Sequence, residues 1–129
     1  MIVVDASALI EALLRMPMGQ AVNERLRIAG SLHAPHLLDI EVAQVVRRHA
    51  ARGAIDEARG REALLDLAEL PMHRYSHQFL LPLVWELRGN LTAYDAAYVA
   101  LADILEAPLL TRDKRLAATA SPRVTVHLI

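Results

Sequence analysis

A three-layer α/β fold with a mainly parallel sheet is what the sequence predicts, on three observations. Short β-rich runs, "MIVV" at residues 1–4, "APLLT" at 107–111 and "RVTVHLI" at 123–129, are separated by segments of helical apolar periodicity. That alternation builds sheets covered by helices on both faces. Two of the runs also lead directly to an acid, Asp5 after "IVV" and Asp113 after "LLTR". In an open parallel sheet the C-terminal strand ends share one edge, and ligands bind in the crevice there.

The elements follow in order. The first strand stops at Asp5, and Ala6 to Leu14 reads as a helix. Pro17 and Gly19 punctuate a hinge at Met16–Gly19, after which Gln20 to Ala29 forms a second helix closed by Gly30. Leu32 to Ala34 is extended and Pro35 ends it; a long helix, His36 to Ala51, is closed by Gly53. Asp56 to Leu70 is helical and stopped by Pro71, and residues 72–75 are extended or irregular. "SHQFLLPLVWELRGN", 76–90, reads as a helix capped by Ser76, with Pro82 as a kink or late start. Trp85 and Arg88 stand three apart on it and are expected to pack against each other or against a dimer partner. "NLTAYDAAYVALAD" opens a helix running to about Glu106. Asp113 to Ala118 is a short helix before the last strand.

The composition suits a single domain over 1–129. Hydrophobic residues make up 54% and aromatics only 4%, so the core must be aliphatic. Cys is absent, which removes disulfides, thiol catalysis and Cys-ligated zinc. The N-terminus lacks a basic leader, and no apolar run approaches the roughly 18 residues of a spanning helix, so a cytoplasmic protein is expected. Net charge is -1, so no global basic field points to a polyanion. Basic residues do cluster, as Arg47, Arg48 and Arg52, and again as Arg112, Lys114 and Arg115. No HExxH, Walker loop, GxGxxG or GxSxG occurs, and the six histidines form no ligand motif.

Four acids carry the functional question. Asp95 interrupts an otherwise apolar stretch. It is either the acid of a capping box begun by Thr92 or a site residue. Asp5 and Asp113 can each cap the helix they precede or face the strand-end crevice. On a helical wheel Glu41 falls between Leu37 and Val45, inside an apolar stripe, where it needs a partner: an Arg such as Arg48, or a metal. Two carboxylates about 4 Å apart repel by about 4 kcal/mol at an effective dielectric near 20. Convergence of the four therefore requires raised pKa values or a bound cation. Hard oxygens without Cys or paired His suit Mg²⁺ or Mn²⁺, which keep waters whose pKa the ion lowers.

The segments "MIVVDASALIE", "HLLDIEVAQVVRR", "NLTAYDAAYVALAD" and "LLTRDKRL", in this order along the whole chain, resemble the PIN-domain ribonucleases, specifically the VapC toxins of VapBC toxin–antitoxin pairs. The resemblance implies a PIN-like sheet of about five strands flanked by helices and an Mg²⁺- or Mn²⁺-dependent endoribonuclease. It carries the family's acidic quartet onto Asp5, Glu41, Asp95 and Asp113, and the companion hydroxyls onto Ser7 and Thr111. It also implies a homodimer silenced by a VapB-like antitoxin whose C-terminal segment fills the groove, and cleavage leaving a 5′-phosphate and a 3′-hydroxyl.

On this reading Asp5 and Asp95 are the principal metal ligands, and Asp113 completes the site directly or through water. Glu41 contacts a metal-bound water or orients the attacking one. Arg112, Lys114 and Arg115 hold the RNA backbone. Asp39 is an additional surface acid. Two non-catalytic alternatives stand beside it. A receiver-like regulatory domain calls for an acidic pair after the first strand, but Ala6 follows Asp5. A PIN-like RNA-binding module without turnover would share the quartet.

Overall fold

The computed structural model describes residues 1–129. Five strands, β1 (Ile2–Val4), β2 (Leu32–Pro35), β3 (His73–Tyr75), β4 (Leu109–Thr111) and β5 (Val126–Leu128), form one sheet. Its order is β3-β2-β1-β4-β5 and every pairing is parallel. Ile2, Val3 and Val4 are all buried, as expected of a central strand covered on both faces. The chain steps outward from β1 to β3, returns, and steps outward again from β4 to β5. The order therefore reverses between β1 and β4, whose register aligns Val4 with Leu110. A crevice forms where the order reverses, beyond the carboxyl ends of these two strands.

Seven helices flank the sheet. α1 (Ala6–Leu13) packs on α2 (Gly19–Ala29), α3 (Leu37–Ala51) and α4 (Glu57–Glu69). α6 (Ala93–Leu105) lies across β1, β2 and β4, with Ala96 to Ala102 buried throughout. Small alanines there let the helix sit close to the sheet. α5 (Leu81–Glu86) packs on α6, and α7 (Lys114–Ala120) on β4 and β5. One apolar cluster built from Leu, Val, Ile and Ala, with Tyr98 as its largest member, joins these layers. Gly30 and Gly53 adopt positive φ where α2 and α3 end, the left-handed conformation in which glycine carries no side-chain penalty.

Several expected details shift. Residues 73–75 form a regular strand, paired with β2 from His33–His73 to Pro35–Tyr75. The stretch 76–90 is not one helix capped by Ser76: a 3-10 turn at Gln78–Leu80 precedes α5, and Pro82 sits in the first turn of α5, where its missing N–H costs nothing. Trp85 and Arg88 do pack together, with the guanidinium 4.3 Å from the ring centroid. Asp39 is paired with Arg74 at 2.8 Å. Among the histidines, His33 is buried and bridges the Ser31 hydroxyl at 2.9 Å and the Tyr75 hydroxyl at 2.7 Å.

Candidate active site

Asp5, where β1 ends, is the hub of the crevice. Its backbone is extended and its Oδ1 accepts the Ala8 amide at 3.1 Å, capping α1. The Ser7 hydroxyl donates to the same oxygen at 2.7 Å, and the Thr111 hydroxyl donates to Oδ2 at 2.6 Å. Thr111 is the last residue of β4, and its Oγ1 accepts the Asp113 amide at 2.9 Å. Ser7 Oγ accepts the Arg112 amide at 3.0 Å. The ends of β1 and β4 are thus stitched together through one buried carboxylate and two hydroxyls.

Asp113 also caps its helix: Oδ1 accepts the amides of Arg115 at 2.8 Å and Leu116 at 3.1 Å. Capping uses only that oxygen and leaves Oδ2 free of hydrogen bonds. Asp95 shows half a capping box. Its amide donates to Thr92 Oγ1 at 3.2 Å, but its carboxylate does not return a bond and has no partner in the chain. Together with Asp113 it lines a cleft between α6 and α7, with Thr92, Arg115 and Thr119 as further walls.

Glu41 arrives from α3. The buried stripe of that helix is Leu38, Val42 and Val46, so Glu41 stands one position aside and is half-buried. Its partner is not Arg48 but Tyr98 of α6, whose hydroxyl donates to Oε1 at 2.5 Å. Tyr98 lies three residues after Asp95, on the same face of α6, and its place in an apolar run gives no hint of a polar partner. Burial and the neighbouring Glu41 push the phenol far above its ordinary range, so it stays a proton donor in this contact.

Electrostatics set these groups apart. Burial raises the pKa of Asp5; the bonds from Ser7, Thr111 and Ala8 oppose this, and repulsion by Asp113 adds to it. Burial also raises Glu41, opposed by the Tyr98 hydroxyl and reinforced by Asp5 and Asp95. Asp95 is raised by burial and then by Asp113, with Arg115 opposing. The four acids feel one another across the crevice, yet no three acidic or imidazole groups gather into a closed chelate. Oxygens left free on Asp95, Asp113 and Glu41, with water access at the exposed Asp113, fit Mg²⁺ or Mn²⁺ held by one or two carboxylates and several waters.

The basic residues divide. Arg112 is engaged by Glu11 of α1, Nη1 to Oε1 at 2.5 Å, and the other Glu11 oxygen accepts the Met18 amide at 3.1 Å. Glu11 is buried, and nothing in "SALIEALL" marks it as the anchor of a turn 101 residues away along the chain. Lys114 and Arg115 are exposed and enter no ion pair.

The chain matches the family model described as PIN domain over residues 2–122. It is 45% identical to the VapC ribonuclease Mb0985 of Mycobacterium bovis, covering 100% of this chain and 98% of that protein. It is 42% identical to the ribonuclease VapC1 of Mycobacterium tuberculosis, covering 98% and 96%. Among solved structures it is similar in fold to VapBC2 from Rickettsia felis bound to a DNA fragment from its promoter. That similarity has a TM-score of 0.72 at 13% identity and covers 99% of this chain and 98% of that one. With the acids at the strand-end crevice and relatives matching end to end, this chain belongs to the PIN-domain family, among its VapC members.

Proposed function

We propose that the chain is an Mg²⁺- or Mn²⁺-dependent endoribonuclease, the toxin of a toxin–antitoxin pair, acting as one PIN domain over residues 1–129. The observation that carries this reading is the crevice itself. What supports it is that acids carried by the end of β1, α3, α6 and the β4–α7 turn influence one another, burial and mutual repulsion raising Asp5, Glu41 and Asp95 from their usual values. The receiver-like alternative finds no support in the relatives, which are named as ribonucleases.

Asp95 and Asp5 would be the principal ligands, Asp5 through the second lone pair of Oδ2, which accepts only the Thr111 hydroxyl, with Asp113 joining directly or through water. A divalent cation bound there supplies a water of lowered pKa and a clamp for a phosphate oxygen. The chain's own residues do the rest. Ser7 and Thr111 pin the Asp5 carboxylate in one orientation. Glu41, steadied by Tyr98 through Oε1, keeps its other oxygen free to orient the attacking water. Lys114 and Arg115, with the exposed edge of Arg112, hold the RNA backbone without reading its bases. Products would carry a 5′-phosphate and a 3′-hydroxyl.

The proposed partners are RNA, a VapB-like antitoxin and a second copy of the chain in a homodimer. No helix is long and apolar enough to cross a membrane, and we place the protein in the cytoplasm. The test is cleavage of a mixed RNA pool with added Mg²⁺ or Mn²⁺. The double variant Asp5→Asn, Asp95→Asn should lose it while its circular dichroism stays native. Retained cleavage by the folded variant would overturn the metal-site reading.

A further inference from the structure

An apolar groove of roughly 460 Å³ runs between α1 and α3 beside the acids. Ala6 and Ile10 form one wall, Ile40 and Val45 the other, and Tyr94 stands at the mouth. Tyr94 immediately precedes Asp95 and is 66% exposed; Ile40 immediately precedes Glu41 and is 74% exposed. Both acids thus carry a large exposed apolar neighbour on the groove side.

The polar groups of the groove are ordered as well. Glu41, Gln44, Val45 and Arg48 follow the i, i+3, i+4, i+7 spacing of one helix stripe. Glu41 is satisfied by Tyr98, whereas Arg48 enters no ion pair. The two ends of the stripe are roughly 10 Å apart along the axis. The long, flexible Arg48 side chain can reach back over part of that distance, so that one phosphate of a strand meets the acids and its neighbour the guanidinium.

We infer that this groove is a nucleotide subsite, in which the base flanking the cut stacks on Tyr94 over Ile40 and Val45 while the following phosphate meets Arg48. The inference rests on the ribonuclease reading and adds where the substrate lies. An aromatic face beside an apolar floor is how single-stranded nucleic acid is held with little sequence preference. A free guanidinium at the far end complements a phosphodiester, and the wall adjoining the acids must carry the strand being cut.

The test uses single-stranded oligoribonucleotides with Mn²⁺, either intact or carrying one abasic nucleotide at each position flanking the cut. Tyr94→Ala should raise KM on the order of tenfold with little change in kcat, and Tyr94→Phe should restore most of the loss. An abasic nucleotide at one flanking position should weaken wild type by a similar factor and leave Tyr94→Ala unmoved. Arg48→Ala should weaken all RNAs alike and lower the salt dependence. Equal abasic penalties in wild type and Tyr94→Ala would overturn the subsite. So would a Tyr94→Ala protein with unchanged RNA kinetics that fails to bind an antitoxin peptide, a result assigning the groove to a protein. If wild type cleaves no RNA with either metal, the ribonuclease reading fails, and fluorescence anisotropy with the same intact and abasic strands still decides the subsite.

Discussion

The Tyr98 hydroxyl donates to Glu41 at 2.5 Å, joining α6 to α3 across the crevice. Glu41 is already raised by burial and by the charges of Asp5 and Asp95, and the phenol is the one contact that opposes this. Tyr98→Phe removes the donor and keeps the ring in the core. The variant should lose about 1 kcal/mol of stability in urea unfolding. The pKa of Glu41 should rise further, so the ascending limb of the pH–rate profile moves to higher pH.

Asp95 bears a cost in the metal-free protein, because burial and Asp113 raise its pKa while no hydrogen bond supports its carboxylate. A carboxylate whose native pKa lies above its unfolded value favours folding at low pH, and that contribution is lost as pH rises through the native pKa. Asp95→Asn should therefore raise the Tm of the metal-free protein near neutrality. The advantage should shrink as pH falls into the ordinary carboxylate range, where the wild-type carboxyl is protonated too. Cleavage should be lost in the same variant. Thermal melts across pH with and without Mg²⁺ check both halves, and added Mg²⁺ should stabilise wild type more than the variant.

Thr111 joins two functions in one hydroxyl, donating to Asp5 at 2.6 Å and accepting the Asp113 amide at 2.9 Å. Thr111→Val keeps the buried shape and deletes both bonds, together with the 3.3 Å contact between the Thr111 and Ser7 hydroxyls. It should cost about 1–3 kcal/mol and reduce kcat more than KM, since Asp5 and Asp113 both lose an anchor. Thr111→Ser should recover most of the activity. A variant matching wild type in both stability and kcat would show that this bridge positions nothing.

The legible parts of this molecule were those governed by local rules. Asp5 and Asp113 stand out because each closes a β-rich run, and Asp95 and Glu41 because each interrupts an apolar pattern. Long-range packing hid the rest. Tyr98 reads as a core aromatic until α3 is laid beside α6, and Glu11 reads as an acid on an apolar helix until the β4–α7 turn reaches it. The wheel placed Glu41 inside the stripe of α3, but sheet and helix contacts rotate the buried face onto Leu38, Val42 and Val46. Residues 73–75 became a strand because β2 offers its edge, a fact no local propensity contains. The break before α5 follows from Pro82, which fits only a first helical turn.

Arg112 differs in kind from its neighbours Lys114 and Arg115. Its guanidinium is held by the buried Glu11, and its amide donates to Ser7, which in turn donates to Asp5. Arg112→Ala would leave Glu11 with only the Met18 amide. Because the Arg112 side chain is 37% exposed, the loss should fall below that of a wholly buried pair, at about 2 kcal/mol. Glu11→Gln, which can still accept from Met18, should cost less. Lys114→Ala should change stability by no more than about 0.5 kcal/mol and show itself in RNA affinity and its salt slope instead. Urea unfolding of the three variants separates the roles: equal losses for Arg112→Ala and Lys114→Ala would mean that the Glu11–Arg112 pair contributes nothing to holding the β4–α7 turn.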